Sequence, residues 1–344
     1  MIKVKKEGLV LSKTKLVFEE EGVLNPAVIK TGNEVHMFYR AVRKGNFSSI
    51  GYCRFEGPLT LTHRSDAPII YSQSEFESHG VEDPRITKID DLYYLTYTAY
   101  DGINALGSLA TSTDLIHFEK KGVIVPIISF AKFKYLAESK ELINEKYIRY
   151  NEREKIEKID NKPIYLWDKN VIFFPRRING KLTFLHRIRP DVQIVAVNEL
   201  SDLTDEFWED YFIHLDSHIA LTSKFEHDAS YVGGGCPPIE TEYGWLLIHH
   251  GVHDSPKGYI YSACAALMEL ENPGKEISRL PYPLFFPEHE WELFGYVNNV
   301  CFPTGTAIFE DTLYIYYGTA DEHVACASIK LNELLQELML YKTT

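Results

Sequence analysis

Carboxylates, cations and amides recur at one kind of place in this chain, close to the start of an aromatic-rich run. They are Asn25, the tetrapeptide Glu82-Asp83-Pro84-Arg85, the pair Asp168-Lys169, Glu240 after Gly233-Gly234-Gly235, and Asn298-Asn299. Acid–base chemistry needs a carboxyl whose proton affinity is tuned by its neighbours, and here Glu82 raises that of Asp83 while Arg85 lowers it. Taken singly, each is an ordinary solvated residue at a strand end. Five aligned sets are expected to converge from distant positions on one polar site.

The elements that must carry them repeat. Asn25–Arg40, Asp83–Thr98, Phe174–Arg187, Pro237–Gly251 and Phe302–Gly318 each run from a proline through a polar or glycine turn into an aromatic strand, the pattern of a hairpin. Their aligned prolines are 58, 91, 63 and 65 residues apart, a period that indicates propellers or arrays. The long interval contains residues 127–160, rich in Lys, Glu, Leu and Tyr and free of Gly and Pro, which predicts a helical insertion. A second strand pair follows each hairpin, at 49–55, 107–118, 192–203, 259–270 and 324–331. Four short strands repeated five times predict an all-β, five-bladed β-propeller over residues 1–344 as a single domain, in preference to a β-sandwich. Leu331–Leu340 is apolar at helical spacing and predicts a C-terminal helix packed on that domain.

Composition sets the outer bounds. With 45% hydrophobic and 25% charged residues, the 344-residue chain can bury a sizeable core. A formal charge of −13 argues against a nucleic-acid partner, although a local basic cluster can hold one small anion. The basic N-terminus carries too short an apolar stretch for a signal peptide, and no run approaches a membrane span. A cytoplasmic location and no membrane partner are therefore expected, or a periplasmic one if a leader has been removed. The five cysteines are widely spaced and odd in number, and the thirteen histidines form no ligand motif, so neither disulfides nor a metal or other cofactor are expected. Whether the chain forms a homo-oligomer is left open.

In order along the chain, several stretches together resemble glycoside hydrolase family 130. They are Asn25-Pro26 with Tyr39-Arg40, Val81-Glu82-Asp83-Pro84-Arg85, Tyr97-Thr98-Ala99-Tyr100-Asp101-Gly102, Ala110-Thr111-Ser112, Phe173-Phe174-Pro175, His186-Arg187, Gly244-Trp245-Leu246-Leu247-Ile248, His250-Gly251, Pro303-Thr304-Gly305 and Tyr316-Tyr317-Gly318. The resemblance implies a five-bladed propeller that cleaves β-mannosides, by phosphorolysis or by hydrolysis. It implies that Asp83 is the general acid, working through a sugar hydroxyl, with Glu82 and Arg85 beside it in the site. It also implies substrate contacts from Asn25, Arg40, Asp101, Asn104, Lys169, His186, Arg187, His250 and Asp321.

Phosphorylases of the family hold inorganic phosphate with an Arg soon after the Tyr-Asp-Gly motif and a Lys after the paired prolines. This chain has Ile103-Asn104-Ala105-Leu106-Gly107 at the first place and Ile239-Glu240-Thr241-Glu242 at the second. A carboxylate in place of a cation repels phosphate and can activate water. The expected activity is therefore inverting hydrolysis of short β-1,2-linked manno-oligosaccharides, with Glu240 as base and Glu290 or Glu292 as further candidates. The alternative is an inverting phosphorylase releasing α-mannose 1-phosphate, with phosphate held by Lys169, Arg176, Arg177, Arg187 and His250.

Overall fold

Two-residue turns fold the hairpins. Gly22–Thr31 pairs with Glu34–Arg43, Gly80–Ile89 with Leu92–Tyr100, and Cys301–Phe309 with Thr312–Thr319. At each of these turns one residue takes a left-handed backbone conformation, Gly32 (φ 60°), Asp90 (φ 53°) and Glu310 (φ 54°). Such turns match the twist of the flanking strands. The computed structural model describes residues 2–151, 158–159, 162–256 and 258–342.

The protein is mostly β, and its strands fall into five antiparallel units besides a separate short pair, Lys158–Ile159 with Lys162–Pro163. The first is Gly22–Thr31, Glu34–Arg43, Phe47–Glu56 and Thr60–Arg64; the second is Gly80–Ile89, Leu92–Tyr100, Ala105–Ser112 and Glu119–Val123. A single parallel bridge, Ser48 to Gly80, joins these two. The third comprises Lys169–Phe173, Leu182–Arg187, Val192–Val197 and Ile219–Leu221. The fourth comprises Tyr231–Gly234, Gly244–Ser255, Gly258–Met268 and Glu276–Arg279, with Ile239–Thr241 extending the hairpin. The fifth is Cys301–Phe309, Thr312–Thr319 and His323–Lys330, and its outer strand is the N-terminal Lys5–Ser12. The first strands of units one, two, three and four touch in turn, and Cys301–Phe309 touches both the first strand of unit one and the second of unit four. Their N-terminal ends therefore gather.

A buried carboxylate recurs just before the first strand of three units. Glu19 accepts from Tyr39 Oη at 2.7 Å and pairs with Arg64 at 2.8 Å. Glu77 accepts from Tyr97 Oη at 2.8 Å and pairs with Lys120 at 2.6 Å. Glu292 accepts from Tyr317 Oη at 2.7 Å and pairs with Lys6 at 2.6 Å. In each case the tyrosine lies on the unit's second strand and the cation on or next to its outer strand, so the group ties the sheet together across its width. A buried charge is tolerated only when paired in this way.

The expected insertion is helical in part. Helices Phe130–Ala137 and Glu145–Tyr150 are capped by Ser129 and Asn144, whose side-chain oxygens accept from Lys132 N and Lys146 N at 3.2 and 3.0 Å. Of the rest of the expected range, 152–157 and 160 lie outside the described residues, and Lys158–Ile159 is a short strand paired with Lys162–Pro163 instead of helix. Phe130, Phe133 and Tyr147 pack with Phe184 and Val195 of unit three and with Trp208, Tyr211 and Phe212 of helix Asp205–Ile213. That last helix lies between the third and fourth strands of its unit, where the sequence pattern gave only strands. Helix Leu331–Met339 buries Leu334, Leu335 and Leu338 on the fourth and fifth units, as its spacing predicts. No described helix is long and apolar enough to cross a membrane.

Candidate active site

Three of the gathered strands open with an irregularity that re-aims one side chain. Register shifts fall between Leu24 and Ala27, Glu82 and Arg85, and Lys169 and Ile172. Inside them Asn25 (φ 47°), Asp83 (φ 49°) and Asn170 (φ 57°) are left-handed. Asn and Asp bear this conformation better than other side-chain-bearing residues, and a bulge bends the strand so that the extra residue turns out of the ladder. As a result Asn25 Nδ2 donates to Asp83 Oδ1 at 2.7 Å, from one unit to the next. Arg40, on the strand beside Asn25, donates from Nη2 to Glu82 Oε1 at 2.7 Å, lies 3.5 Å from Asp83 through Nη1, and is fixed by Nε to Ser48 Oγ at 2.8 Å. A Cβ on Gly318 would lie 2.1 Å from Asn25 Oδ1, so only glycine leaves room for this amide.

Two adjoining cavities of about 310 and 250 Å³ share Arg40, Trp167, Lys169 and Asp321 as walls. The smaller holds Asn25 and Asp83 together with Lys169, Arg187 and Arg189, against Tyr231, Tyr261 and Phe302. The larger holds Glu82 with the aromatic faces of Tyr100, Trp167 and Tyr296. Lys169 Nζ lies 5.3 Å from the Trp167 ring centre, and Arg187 and Arg189 each lie 5.6 Å from that of Tyr231. Arg187 Nη1 donates to His250 Nε2 at 3.2 Å, and a Cβ on Gly233 would come within 2.3 Å of that imidazole nitrogen. His250 is buried and faces Arg187 and Arg85, which holds it neutral and leaves Nε2 free to accept.

Charge at the site is unevenly tuned. Burial pushes the Asp83 carboxyl up, but Arg40, Lys169, the Asn25 hydrogen bond and Arg85 outweigh it and hold Asp83 below its ordinary value. Asp321 is pushed up to about 6, by burial first and by Asp83 and Glu82, against the pull of Arg40 and Lys169. Burial lowers the proton affinity of Lys169 despite the nearby Asp83, and Arg187 lowers it further. One ionised carboxylate, one carboxyl that holds a proton more readily and several close-set cations thus share a small polar cavity.

Asn25, Arg40, Glu82, Asp83, Lys169, Arg187 and Asp321 line these cavities, with His250 behind Arg187. Others from the sequence reading lie elsewhere. Glu240 is exposed, beside the hairpin turn, where it pairs with Arg176 at 3.0 Å. The position after the paired prolines corresponds in the first hairpins to Lys30 and Lys88, at the far end of the strand from the cavity, so a residue there cannot act as base in it. Glu290 is exposed and Glu292 buried in a short helix, Glu290–Leu293, not on a strand. Glu292 is committed to Tyr317, Lys6 and the N–H groups of Glu288 and His289, at 2.9 and 3.0 Å from the last two. Arg85 donates to the carbonyls of Gly235 (2.5 Å), Asp83 (3.0 Å) and Pro84 (2.9 Å), and so braces the bulge. His186 sits between Asp168 at 2.8 Å and Tyr211 Oη at 2.8 Å inside unit three. Asp101 caps its own turn, accepting from Ile103 N at 2.8 Å and Asn104 N at 2.6 Å, and both Asp101 and Asn104 face a separate cavity. Arg176 and Arg177 are bound to surface glutamates away from the site.

Trp167, Asn170, Arg189, Tyr231 and Tyr261 line the cavity without having been singled out from sequence. For Arg189 there was a signal, since it follows Arg187 by two residues, the spacing that returns a side chain to the same face of an extended chain.

A family profile described as β-1,4-mannooligosaccharide phosphorylase matches residues 6–152 and 146–340. A 1,2-β-oligomannan phosphorylase of Thermoanaerobacter sp. is 31% identical over 97% of this chain and 99% of its own length. A β-1,2-mannobiose phosphorylase of the same organism is 31% identical over 91% of each chain. The solved structure of a β-1,2-mannobiose phosphorylase from Listeria innocua, in complex with β-1,2-mannobiose, superposes with a TM-score of 0.74 at 22% identity, over 98% of this chain and 100% of its own. The family match makes the protein a carbohydrate-active enzyme. The chain belongs to glycoside hydrolase family 130, the family of β-mannoside phosphorylases and β-1,2-mannosidases.

Proposed function

We propose that the five units close into a five-bladed propeller and that the protein is an inverting phosphorylase of short β-1,2-linked manno-oligosaccharides, releasing α-mannose 1-phosphate. The observation that carries this reading is the presence of Lys169, Arg187 and Arg189 in the same small cavity as Asp83. Hydrolysis, the reading favoured by the sequence, depended on Glu240 as base, and that residue lies outside the cavity. The phosphorylase names of the relatives that match most of the chain support the same choice.

In this scheme the phosphate is gripped by the guanidinium groups, whose planar fork suits its oxygens, and by Lys169 as a point charge. Phosphate oxygen attacks the anomeric carbon from the face opposite the departing sugar, the C1–O bond breaks, and configuration inverts. Asp83 supplies the proton that the leaving oxygen takes up, through a sugar hydroxyl. In the free protein the cations hold Asp83 ionised; an anion beside Lys169 and Arg187 offsets them and raises its proton affinity. Binding of the nucleophile thereby loads the acid. Tyr100, Trp167 and Tyr296 offer flat apolar faces to the departing sugar.

Incubation with β-1,2-mannobiose, with and without inorganic phosphate, tests the reading. Mannose 1-phosphate and mannose in equal amounts are expected, with no turnover when phosphate is omitted. Free mannose released at the same rate without phosphate would return the protein to the hydrolases.

A further inference from the structure

We propose that Tyr147, Tyr150 and Asn151 of the helical insertion are positioning residues of the anion site, setting phosphate affinity from behind the cations. The proposal rests on the phosphorolysis reading. Its starting point is that Arg189 belongs to no strand. The strand Leu182–Arg187 ends before it and Val192–Val197 begins after it, so a connection of four residues must aim a guanidinium into the cavity without ladder hydrogen bonds of its own.

Three sets of contacts fix that connection, and the insertion takes part in each. Gln193 clamps Ile188, accepting from its N–H at 2.8 Å and donating to its carbonyl at 2.9 Å, and its amide also donates to Tyr147 Oη at 3.0 Å. Asn151 Nδ2 donates to the carbonyl of Arg189 at 3.0 Å and to that of Tyr147 at 2.8 Å. Tyr150 packs edge-on against Tyr231, 5.4 Å between ring centres at 72°, and Tyr231 is the ring over which both Arg187 and Arg189 lie. Lys146 Nζ reaches the carbonyl of Ala229, two residues before Tyr231, at 2.6 Å.

Tyr147 and Asn151 are buried, and neither they nor Tyr150 line the cavity holding Arg187 and Arg189. The Tyr147 ring shares the insertion's apolar packing with Phe130 and Phe133, while its hydroxyl is turned to the connection. A buried hydroxyl and a buried amide N–H are costly unless satisfied, and here the Tyr147 hydroxyl accepts from Gln193 and the Asn151 amide donates to the Arg189 carbonyl, both on the segment 188–193 that aims Arg189. Supporting groups of this kind fix the orientation of the residues that touch a ligand.

The test uses the whole chain with Tyr147→Phe, Asn151→Ala and, as a control on the exposed face of the first helix, Tyr135→Ala. Phosphate affinity is measured twice, by calorimetric titration with inorganic phosphate and as KM for phosphate at saturating β-1,2-mannobiose. By analogy with the supporting shell of metal sites, Tyr147→Phe and Asn151→Ala should weaken phosphate about tenfold or more. KM for mannobiose at saturating phosphate, and all constants of Tyr135→Ala, should stay within about twofold. Melting curves identify a misfolded variant, and Tyr147→Phe, which removes one oxygen, guards against a collapse confined to Asn151→Ala. Unchanged phosphate affinity in a folded Tyr147→Phe protein would overturn the proposal. Wild-type turnover that ignores phosphate would sink the underlying reading too, and is recognised before any variant is made.

Discussion

Asn25 and Asp83, fifty-eight residues apart in sequence, meet through a 2.7 Å hydrogen bond because each is a left-handed residue at the mouth of its strand. The bond joins two sheet units and fixes one carboxylate oxygen toward the cavity. Asp83→Asn keeps this backbone conformation, which Asn tolerates, and removes only the titrating group. Turnover should fall by ~10²–10⁴-fold, as for loss of a general acid, and the melting temperature should drop as well, because Arg40 and Lys169 lose the carboxylate they hold ionised. A variant that turns over like wild type would remove Asp83 from the chemistry.

Arg187 is held between His250 and the face of Tyr231, with no carboxylate bound to it among the described residues. Arg187→Lys retains a charge but loses the fork that can grip two phosphate oxygens. Hydrogen bonds to charged groups contribute about 1.5–3 kcal/mol, so KM for phosphate should rise by roughly 10–100-fold. Mannobiose saturation curves recorded at high phosphate should change far less, and equal losses in both would contradict an anion role.

Glu240 and Glu292 should separate cleanly in a pair of assays. Glu240→Gln alters an exposed ion pair worth less than about 1 kcal/mol, so activity and melting temperature should both match wild type. Glu292→Ala strands the buried Lys6 ammonium and the Tyr317 hydroxyl, and should cost about 3–5 kcal/mol in denaturant unfolding. Lost turnover in Glu240→Gln would restore it as a catalytic group.

The repeats were legible because prolines and aromatic runs mark hairpins locally, and because the inserted helices break that period with a different composition. The mouth residues Asn25 and Asp83 were legible for the same reason, each standing directly before the proline of its repeat, whereas Lys169, six residues before Pro175, was reached through the family resemblance. Glu292 was not, since a buried carboxylate bolting a sheet and a catalytic one are the same residue in sequence; only its likeness to Glu19 and Glu77 in three dimensions separates them. Glu240 was misread because alignment to a lysine says nothing of where on the hairpin that lysine stands. Arg189 and Tyr147 depend on contacts between the insertion and unit three, more than 35 residues apart, which no local pattern encodes.

Asp321 gives a prediction in pH. Its carboxyl is pushed from 3.8 up to about 6 in the folded protein by burial and by Asp83 and Glu82. Between those values the folded state keeps a proton that the unfolded chain has released. The stabilisation this group gives is therefore full below about pH 4 and is lost as pH rises through 6. Asp321 is itself left-handed (φ 56°), so Asp321→Asn fits the backbone while removing the charge. The variant should melt above wild type beyond about pH 7, by a margin that shrinks as pH falls through 6 and vanishes near 4. A margin independent of pH, or one that grows toward acid, would mean that Arg40 and Lys169 outweigh the burial of Asp321.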